Sequence, residues 1–510
     1  MNEERDVIVI GAGMGGLTAA ALLSRAGLKP LVLEHHFAPG GNAQTFRRKR
    51  MFDFDVGLHY IGECGKGGLF PALMRNLGIE DEIEFLPMDP DGFDTLVFPD
   101  FTFRVPVGWD KFRHRLHAVF PGERAAIDRY LEFAQESGRR PLPQSEGEPT
   151  DMERRLGKRF PECTLQEVFD GLECSLRLRA VLSSFTGTYA VPPSRASAIL
   201  NARLQHHYIS GGAYFIKGGG RSLIDALVGV IEGNGGELRL RSRVRRILVE
   251  GGRARGVELV SGKTLRARVV VSNADAKRTL LDLVGREHLS SETVEKTQQA
   301  RMALPLFVIY LAMKRAPLEL GIPNTNYALS PGYDVEEAYA ACDRGELPEE
   351  TAVFLSIASR KDPESANIAP PGYTNLQVMS IAPPSLQTWG VDASPAEGGR
   401  YRHTLDYTTA KKLMEERLLA QVERSMPGFL RDIVWKESAT PLTQERFTLS
   451  TGGTSYGLEG SPEQLGEGRY AMATEIAGLY MVGASTLFGH GIAGTMVSGT
   501  ATANLILGQR

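Results

Sequence analysis

Four β-branched apolar residues in a row, Val7-Ile8-Val9-Ile10, open the first patterned stretch of the chain. A continuous apolar run of this length reads as a strand buried on both faces. Gly11-Ala12-Gly13-Met14-Gly15-Gly16 follows directly. Ala- and Leu-rich helical positions then run from Leu17 to Ala26, and a second short strand, Leu31-Val32-Leu33, ends in Glu34. Farther on, Tyr214-Phe215-Ile216 leads through Lys217-Gly218-Gly219-Gly220 into an amphipathic helix over Arg221 to Glu232. Glu237 to Arg241, Val244 to Glu250, Arg255 to Val260 and Leu265 to Ser272 alternate as strands separated by tight turns. Val269 to Ala274 predicts a buried parallel strand ending at a loop. Leu479 to Ala484 predicts another strand, and Gly491 to Leu507 a helix of small residues.

These segments predict one Rossmann-type domain in three pieces, 1–75, 214–285 and 475–510. Two insertions, 76–213 and 286–474, supply a substrate domain. Arg139 to Thr150, rich in Pro, Ser, Glu and Gly, predicts a flexible loop or lid.

The glycines of the first turn have separate physical tasks. Gly11 permits the tight turn, Gly13 lets backbone approach a pyrophosphate, and Gly16 lets helix and strand pack closely. The helix N-terminus offers unpaired N–H groups and a partial positive charge. Glu34 accepts from both ribose hydroxyls and repels a 2′-phosphate, which predicts FAD or NAD rather than NADP. Strand, turn, helix and acid in register are far more specific than Gly-x-Gly-x-x-Gly alone. Lys217 to Gly220 lacks that spacing, so a turn into a helix is its plainer reading than a second phosphate cradle.

Composition narrows the class. The chain of 510 residues is long enough for two or more structural units. A net charge of -3 points away from a nucleic-acid partner. Cys64, Cys163, Cys174 and Cys342 form no C-x-x-C pair, so neither zinc nor a disulfide framework is indicated, and a cytoplasmic setting fits. The N-terminus is polar, which predicts no signal peptide. The longest apolar run, Leu304 to Met313, is too short to span a bilayer, so membrane contact is expected at the surface alone.

In these segments the chain resembles the phytoene desaturase, carotenoid isomerase and retinol saturase group of FAD-dependent oxidoreductases, nearly end to end. Gly40-Gly41 matches the group's Gly pair after the ribose acid. Phe54-Asp55-Val56-Gly57 matches its Phe-Asp-x-Gly element, and the continuation Leu58-His59-Tyr60-Ile61-Gly62 is closest to the retinol saturase branch. Val270 to Asp275, Thr440 to Thr443 with Glu445-Arg446 and Tyr456-Gly457, and Gly478 to Ala484 continuing to Gly494 match three further signatures. The resemblance implies an α/β fold: a Rossmann-type FAD-binding domain of the amine-oxidase and phytoene-desaturase superfamily with an inserted α+β substrate domain. It implies that Gly11, Gly13, Gly16 and Glu34 hold the ADP half, and that Gly40 and Gly41 approach the pyrophosphate and flavin. By the same resemblance Val244 reads the adenine through its backbone, Gly483 with Ala484 approaches the ribityl phosphate, and Gly491-Ile492 points a helix N-terminus at the flavin. Wider relatives carry Arg after the Gly pair. Here Asn42 stands there, a hydrogen-bond donor without charge.

Candidates for chemistry follow. His59 and Tyr60, after a family glycine, are read as acid–base groups for a polyene carbon or as structural partners of backbone and flavin. His490 lines the substrate cavity or caps its loop. His206 and His207, adjacent in an expected strand, point to opposite faces, so one faces the cavity with Tyr214 or Phe215, or both pack. His114 and His117 lie three apart on a helix but lack further ligands, so no metal site is expected. Leu69-Phe70, Leu73-Met74 and Leu77 form a core-facing stripe or a membrane contact, and Arg47 to Arg50 a solvated run or a lipid-headgroup contact.

The resemblance implies a flavoenzyme acting on C=C bonds of a long apolar polyene, carotenoid or retinoid, as saturase, isomerase or desaturase. The His59-Tyr60 wording leans toward saturase or isomerase. An external electron donor or acceptor is required and unidentified. The alternatives are an amine or small-substrate oxidase, and a non-catalytic prenyl-lipid carrier on the same fold.

Overall fold

The fold is described from a computed structural model, over residues 5–139 and 148–509. Most of the predicted Arg139–Thr150 lid therefore lies outside the described residues.

The apolar run at the N-terminus forms the strand Arg5–Ile10, buried at its last four residues. It is flanked by Pro30–Leu33 on one side and Thr264–Ser272 on the other, both parallel to it. Glu237–Arg239 extends the sheet beyond Pro30–Leu33, and Leu479–Met481 pairs in parallel with Thr264–Ser272. The strands Val244–Glu250 and Arg253–Leu259 complete it as an antiparallel excursion. Val7–Ile10 and Val269–Val271, the central parts of these strands, are apolar because helices cover one face and the excursion the other. On the helix side lie Met14–Arg25, Leu69–Leu77, Gly220–Gly233 and Gly491–Gly508.

A second sheet has the order Ile433–Ala439, Leu306–Met313, Thr374–Ile381, Val353–Ser356, Asn326–Leu329, Asp94–Val97, Thr102–Val105. Its strands come from both long stretches between the Rossmann pieces. Leu306–Met313 and Thr374–Ile381 pair over eight residues, and the latter strand is buried throughout. The run read from sequence as too short for a membrane span is thus a central strand. No described helix is long and apolar enough to cross a membrane. The 21-residue helix Leu405–Ser425 packs on this sheet, and a helical layer around Tyr130, Phe169 and Phe185 closes the other end of the region.

One expectation needs correction, and one choice between two readings is resolved in favour of the core. His206 and His207 lie in a π-helical turn, His206–Ser210, continuing the helix Ala198–Gln205, because the cavity-side strand starts only at Ala213. In the stripe on Leu69–Leu77, Phe70, Leu73, Met74 and Leu77 are buried in the Rossmann core, and so do not form the membrane contact weighed for them. The basic run is a hairpin between Thr45–Arg48 and Phe52–Asp55. Arg47 pairs with Asp53 and Arg48 with Glu437, each through two hydrogen bonds.

Candidate functional site

The first turn sits where the parallel strands end. Gly11 N donates to Leu33 O at 2.8 Å, tying the two strand ends together. A Cβ on Gly16 would stand 2.3 Å from Gly11 O, and one on Gly13 would stand 2.6 Å from Asn273 Nδ2. Backbone and one side chain therefore fill the space that any larger residue would need. Gly40, at φ 114°, donates its N–H to Ala12 O at 2.7 Å, bringing the second glycine turn against the first. Asn273 also approaches Gly15 and Gly483, so one amide joins two glycine segments at the cleft.

Glu34 is buried. Its Oε2 accepts from Ala12 N at 2.8 Å and its Oε1 from His36 N at 2.7 Å. Each oxygen keeps further acceptor capacity, which is what ribose hydroxyls require. Asn42 spends its amide on the protein: Nδ2 donates to Ser455 O at 3.0 Å, and Oδ1 accepts from Gln444. It staples the Gly40-Gly41 turn to a distant segment. The Lys217–Gly220 turn is also spoken for, since Gly220 N donates to Asp55 Oδ1 and Gly218 N to Asp362 Oδ2, each at 2.8 Å. Two carboxylates of the chain stand where a phosphate would.

Gly11, Gly13, Glu34, Gly40, Gly41, Asn42, Val244, Gly483, Ala484, Gly491 and Ile492 all line one cleft of ≈ 550 Å³. Gly16 lies behind it, packed on Gly11. A glycine cradle, a buried acid at the second strand end and a free helix N-terminus together fit an adenine dinucleotide with a ring at its far end.

A second cavity, ≈ 940 Å³, opens beside the first. Gly57, His59, Leu306, Tyr456 and Gly491 line both. The inner wall carries Tyr60, Tyr208, Phe354, Met379 and Ile381, while the exposed Glu337, Arg344, Glu349 and Glu350 stand at the mouth. The lining joins these apolar side chains to the buried hydroxyls of Ser183, Thr186, Thr351 and Ser380, with its acids all exposed, which suits a largely apolar molecule.

Three predicted chemistry residues line this cavity, and His59 lines the first as well. Burial, reinforced by the charge of Lys361, pushes the His59 imidazole down to about 3, and its Nδ1 has no hydrogen-bond partner. His490 directly precedes the helix Gly491–Gly508 and makes no side-chain cap. It faces the cavity edge-on to Tyr456, with centroids 5.5 Å apart, and burial, then Arg469, pushes it down to about 3. Both rings are neutral near pH 7. Tyr60 stacks on Tyr208 at 4.4 Å, and its hydroxyl donates to Asp94 Oδ2 at 3.0 Å. Burial raises the Tyr60 phenol, and it raises Asp94 to about 6 although Asn326 Nδ2 and Tyr60 both donate to that carboxylate.

Sequence reasoning missed what lies behind this wall. Lys361 is 3% exposed and donates to His59 O at 2.6 Å and Ser356 Oγ at 2.8 Å. Burial lowers it to about 7, against the pull of Asp94 and Asp55, and burial raises Asp55 to about 7. In the sequence Ser359-Arg360-Lys361-Asp362 resembles a solvated polar turn. Only the packing of the second sheet against the Phe52–Asp55 hairpin encloses it.

His206 and His207 line neither cavity. His207 Nε2 accepts from Gly62 N at 3.0 Å and its Nδ1 faces Glu63 Oε1 at 3.1 Å, whereas the His206 ring lies against Trp109. His117 faces Asp128, 3.0 Å away, on the helix Trp109–Val119.

Comparison with known proteins agrees with this geometry. The family model for flavin containing amine oxidoreductase matches residues 14–507. The all-trans-retinol 13,14-reductase of Danio rerio is 28% identical over 99% of this chain and 86% of its own. The neurosporene-forming phytoene desaturase of Rhodobacter capsulatus is 29% identical over 98% of this chain and 93% of its own. Among solved structures, an oxidoreductase from Methanosarcina mazei superposes with a TM-score of 0.66 at 18% identity, covering 98% of this chain and all of that one, a likeness of fold. The chain belongs to the flavin-containing amine oxidoreductase family and is an FAD-dependent oxidoreductase.

Proposed function

Starting from that membership, we propose that the protein reduces a carbon–carbon double bond of a long apolar polyene, retinoid or carotenoid. The observation that carries this reading is the meeting of an aromatic and aliphatic cavity with the dinucleotide cleft at Gly57, His59, Leu306, Tyr456 and Gly491. Bound FAD supplies the two-electron chemistry. The chain's own residues do the rest. Gly11, Gly13, Gly16 and Glu34 hold the ADP half, with Val244 at the adenine. Gly40, Gly41, Gly483 and Ala484 let backbone approach the phosphates. The N–H groups of Gly491 and Ile492 face the ring. Leu306, Phe354 and Ile381 exclude water and lay an extended apolar chain along the cavity.

Tyr60 and Asp94 hold the proton that reduction consumes. The Tyr60 hydroxyl is tied to Asp94 while that carboxylate is ionised. Protonation of Asp94 frees the phenol to give its proton to the substrate carbon, and the Asp94 proton then restores the phenol. His59 and His490 stay neutral and shape the junction. Several further observations favour this reading over an amine oxidase: the junction residues include no carboxylate, the acids of the cavity stand exposed at its mouth, and the named relatives with high coverage act on retinol and phytoene. A cytoplasmic setting belongs to the proposal, supported by four buried, unpaired cysteines.

The test is anaerobic incubation of the FAD-loaded protein with retinoids and carotenoids, first oxidised and then chemically reduced, with product masses measured. The proposal expects a gain of two hydrogens with reduced flavin alone. Retention of mass with reduced flavin would make the protein an isomerase. Loss of two hydrogens with oxidised flavin would make it a desaturase.

A further inference from the structure

Arg469 is 3% exposed and has no carboxylate within ion-pair distance among the described residues. Its Nη1 donates to Ala484 O at 2.7 Å and its Nη2 to Leu458 O at 3.3 Å, while Nε has no partner. Glu459, the acid beside Leu458, is turned away to Arg195 at 3.3 Å and Arg301 at 3.8 Å. Lys296 adds a further cation, its Nζ donating to Arg469 O at 3.3 Å. A buried guanidinium without a counter-ion is rare, because leaving water costs several kcal/mol that a paired charge normally offsets. Burial alone lowers Arg469 to about 10, so it remains charged at neutral pH.

The position of this charge gives it a task. Ala484, whose carbonyl it holds, lines the dinucleotide cleft, and Gly457, next to Leu458, lines the same cleft. Arg469 therefore braces the two segments bordering the junction. The helix Gly491–Gly508 starts there too, with no acid in its first turn and no side-chain cap, so its positive end is also uncompensated. Arg469 reaches His490 electrostatically and disfavours its charged form. Two positive poles thus border the junction, and none of the residues lining both cavities is a carboxylate; the low-dielectric surround screens them little.

We propose that Arg469 is the charge that holds the reduced flavin ring of this protein in its negative form. Reduction of the oxidised ring by two electrons takes up one proton to give the anion and two to give the neutral form. Arg469 favours the first outcome, and raises the affinity of the ring for electrons.

The experiment uses the FAD-loaded protein without any substrate, so its result is separate from the identity of the polyene. The midpoint potential is measured from pH 6.5 to 8.5 with dithionite as reductant. One proton per two electrons is expected, and two would overturn the proposal. In Arg469→Met and Arg469→Gln the preference for the reduced ring is expected to fall about tenfold, a drop of about 30 mV for a two-electron couple. Affinity for sulfite, which adds to oxidised flavin to give an anionic adduct, is expected to fall about tenfold in parallel. Arg469→Lys keeps both within about threefold. Unchanged potential and sulfite affinity in a flavin-loaded Arg469→Met or Arg469→Gln would overturn the assignment. Where neither variant loads flavin, the wild-type proton count decides.

Discussion

The ammonium of Lys361 lies 2.6 Å from the backbone carbonyl of His59. This contact ties a helix of the second sheet region, Ala358–Lys361, to the loop on which His59 and Tyr60 reach the cavity. Burial, with this charge as the second cause, keeps the His59 imidazole neutral, and Lys361 acts electrostatically on two buried carboxyls, Asp55 and Asp94. Lys361 is a positioning residue: it lines neither cavity, and it acts through the backbone of His59 and through its field.

Replacing Lys361 by Met leaves both carboxyls buried without their cation. Removing one partner of a buried charged set costs about 3–5 kcal/mol. The sign of the pH dependence follows from the carboxyls. Burial already raises both above the ordinary carboxylate value, and loss of Lys361 raises them further. The folded state then binds more protons than the unfolded one from about pH 4 upward, so stability falls as pH rises. Denaturant titrations should show Lys361→Met destabilised more at pH 6.5 than at pH 5, a window below the value of about 7 to which burial lowers Lys361 itself. An equal loss at both would remove the electrostatic account.

Gly16→Ala tests the packing of the first turn. The added methyl would stand 2.3 Å from Gly11 O, a backbone atom that moves only with the whole turn. Overpacking of this kind costs about 1–3 kcal/mol, or about tenfold to a hundredfold in affinity if it falls on the bound state. FAD titration of the apoprotein should show that weakening, and because the clash lies within the turn itself the melting temperature of the apoprotein should fall as well.

The Tyr60–Asp94 pair predicts a pH profile. Restoring the phenol requires a protonated Asp94, whose carboxyl burial raises to about 6. Turnover should therefore decline as pH rises through that value, and Asp94→Asn should abolish the break. Tyr60→Phe should lower product formation by about 10²–10⁴, the range for loss of a general acid, with FAD affinity unchanged. His59 and His490 should contribute no break between pH 5 and 8, since both are held neutral there.

The Rossmann half was legible because its signals are local. An apolar run, a glycine turn and an acid at a strand end are contiguous, and their order alone sets the geometry. Gly483 and Gly491-Ile492 were legible through resemblance. Asn273 stood within a recognised signature, yet its contact with two glycine segments depends on the strand Thr264–Ser272 lying beside Arg5–Ile10. Lys361, Asp94 and Arg469 were not legible, because a charged residue in a polar stretch reads as solvated. Their burial comes from contacts between segments more than 200 residues apart in the case of Lys361 and Asp94, and from a loop crossing in the case of Arg469. The histidine pair was misread for a related reason. His206 and His207 are followed by Tyr208 and Ile209, an apolar–aromatic pattern that suits a strand, and only packing against Trp109 and Glu63 favours the helical turn.

Single-turnover spectroscopy tests the central claim most directly. The protein, loaded with FAD and reduced under nitrogen, is mixed with one equivalent of a retinoid or carotenoid, and the flavin and polyene absorbance bands are followed together. The account predicts that flavin colour returns as the polyene band shifts to shorter wavelength, one double bond lost for each ring reoxidised. Reduced protein that regains its colour only when oxygen is admitted, with the oxidised form bleached by an amine instead, would contradict it.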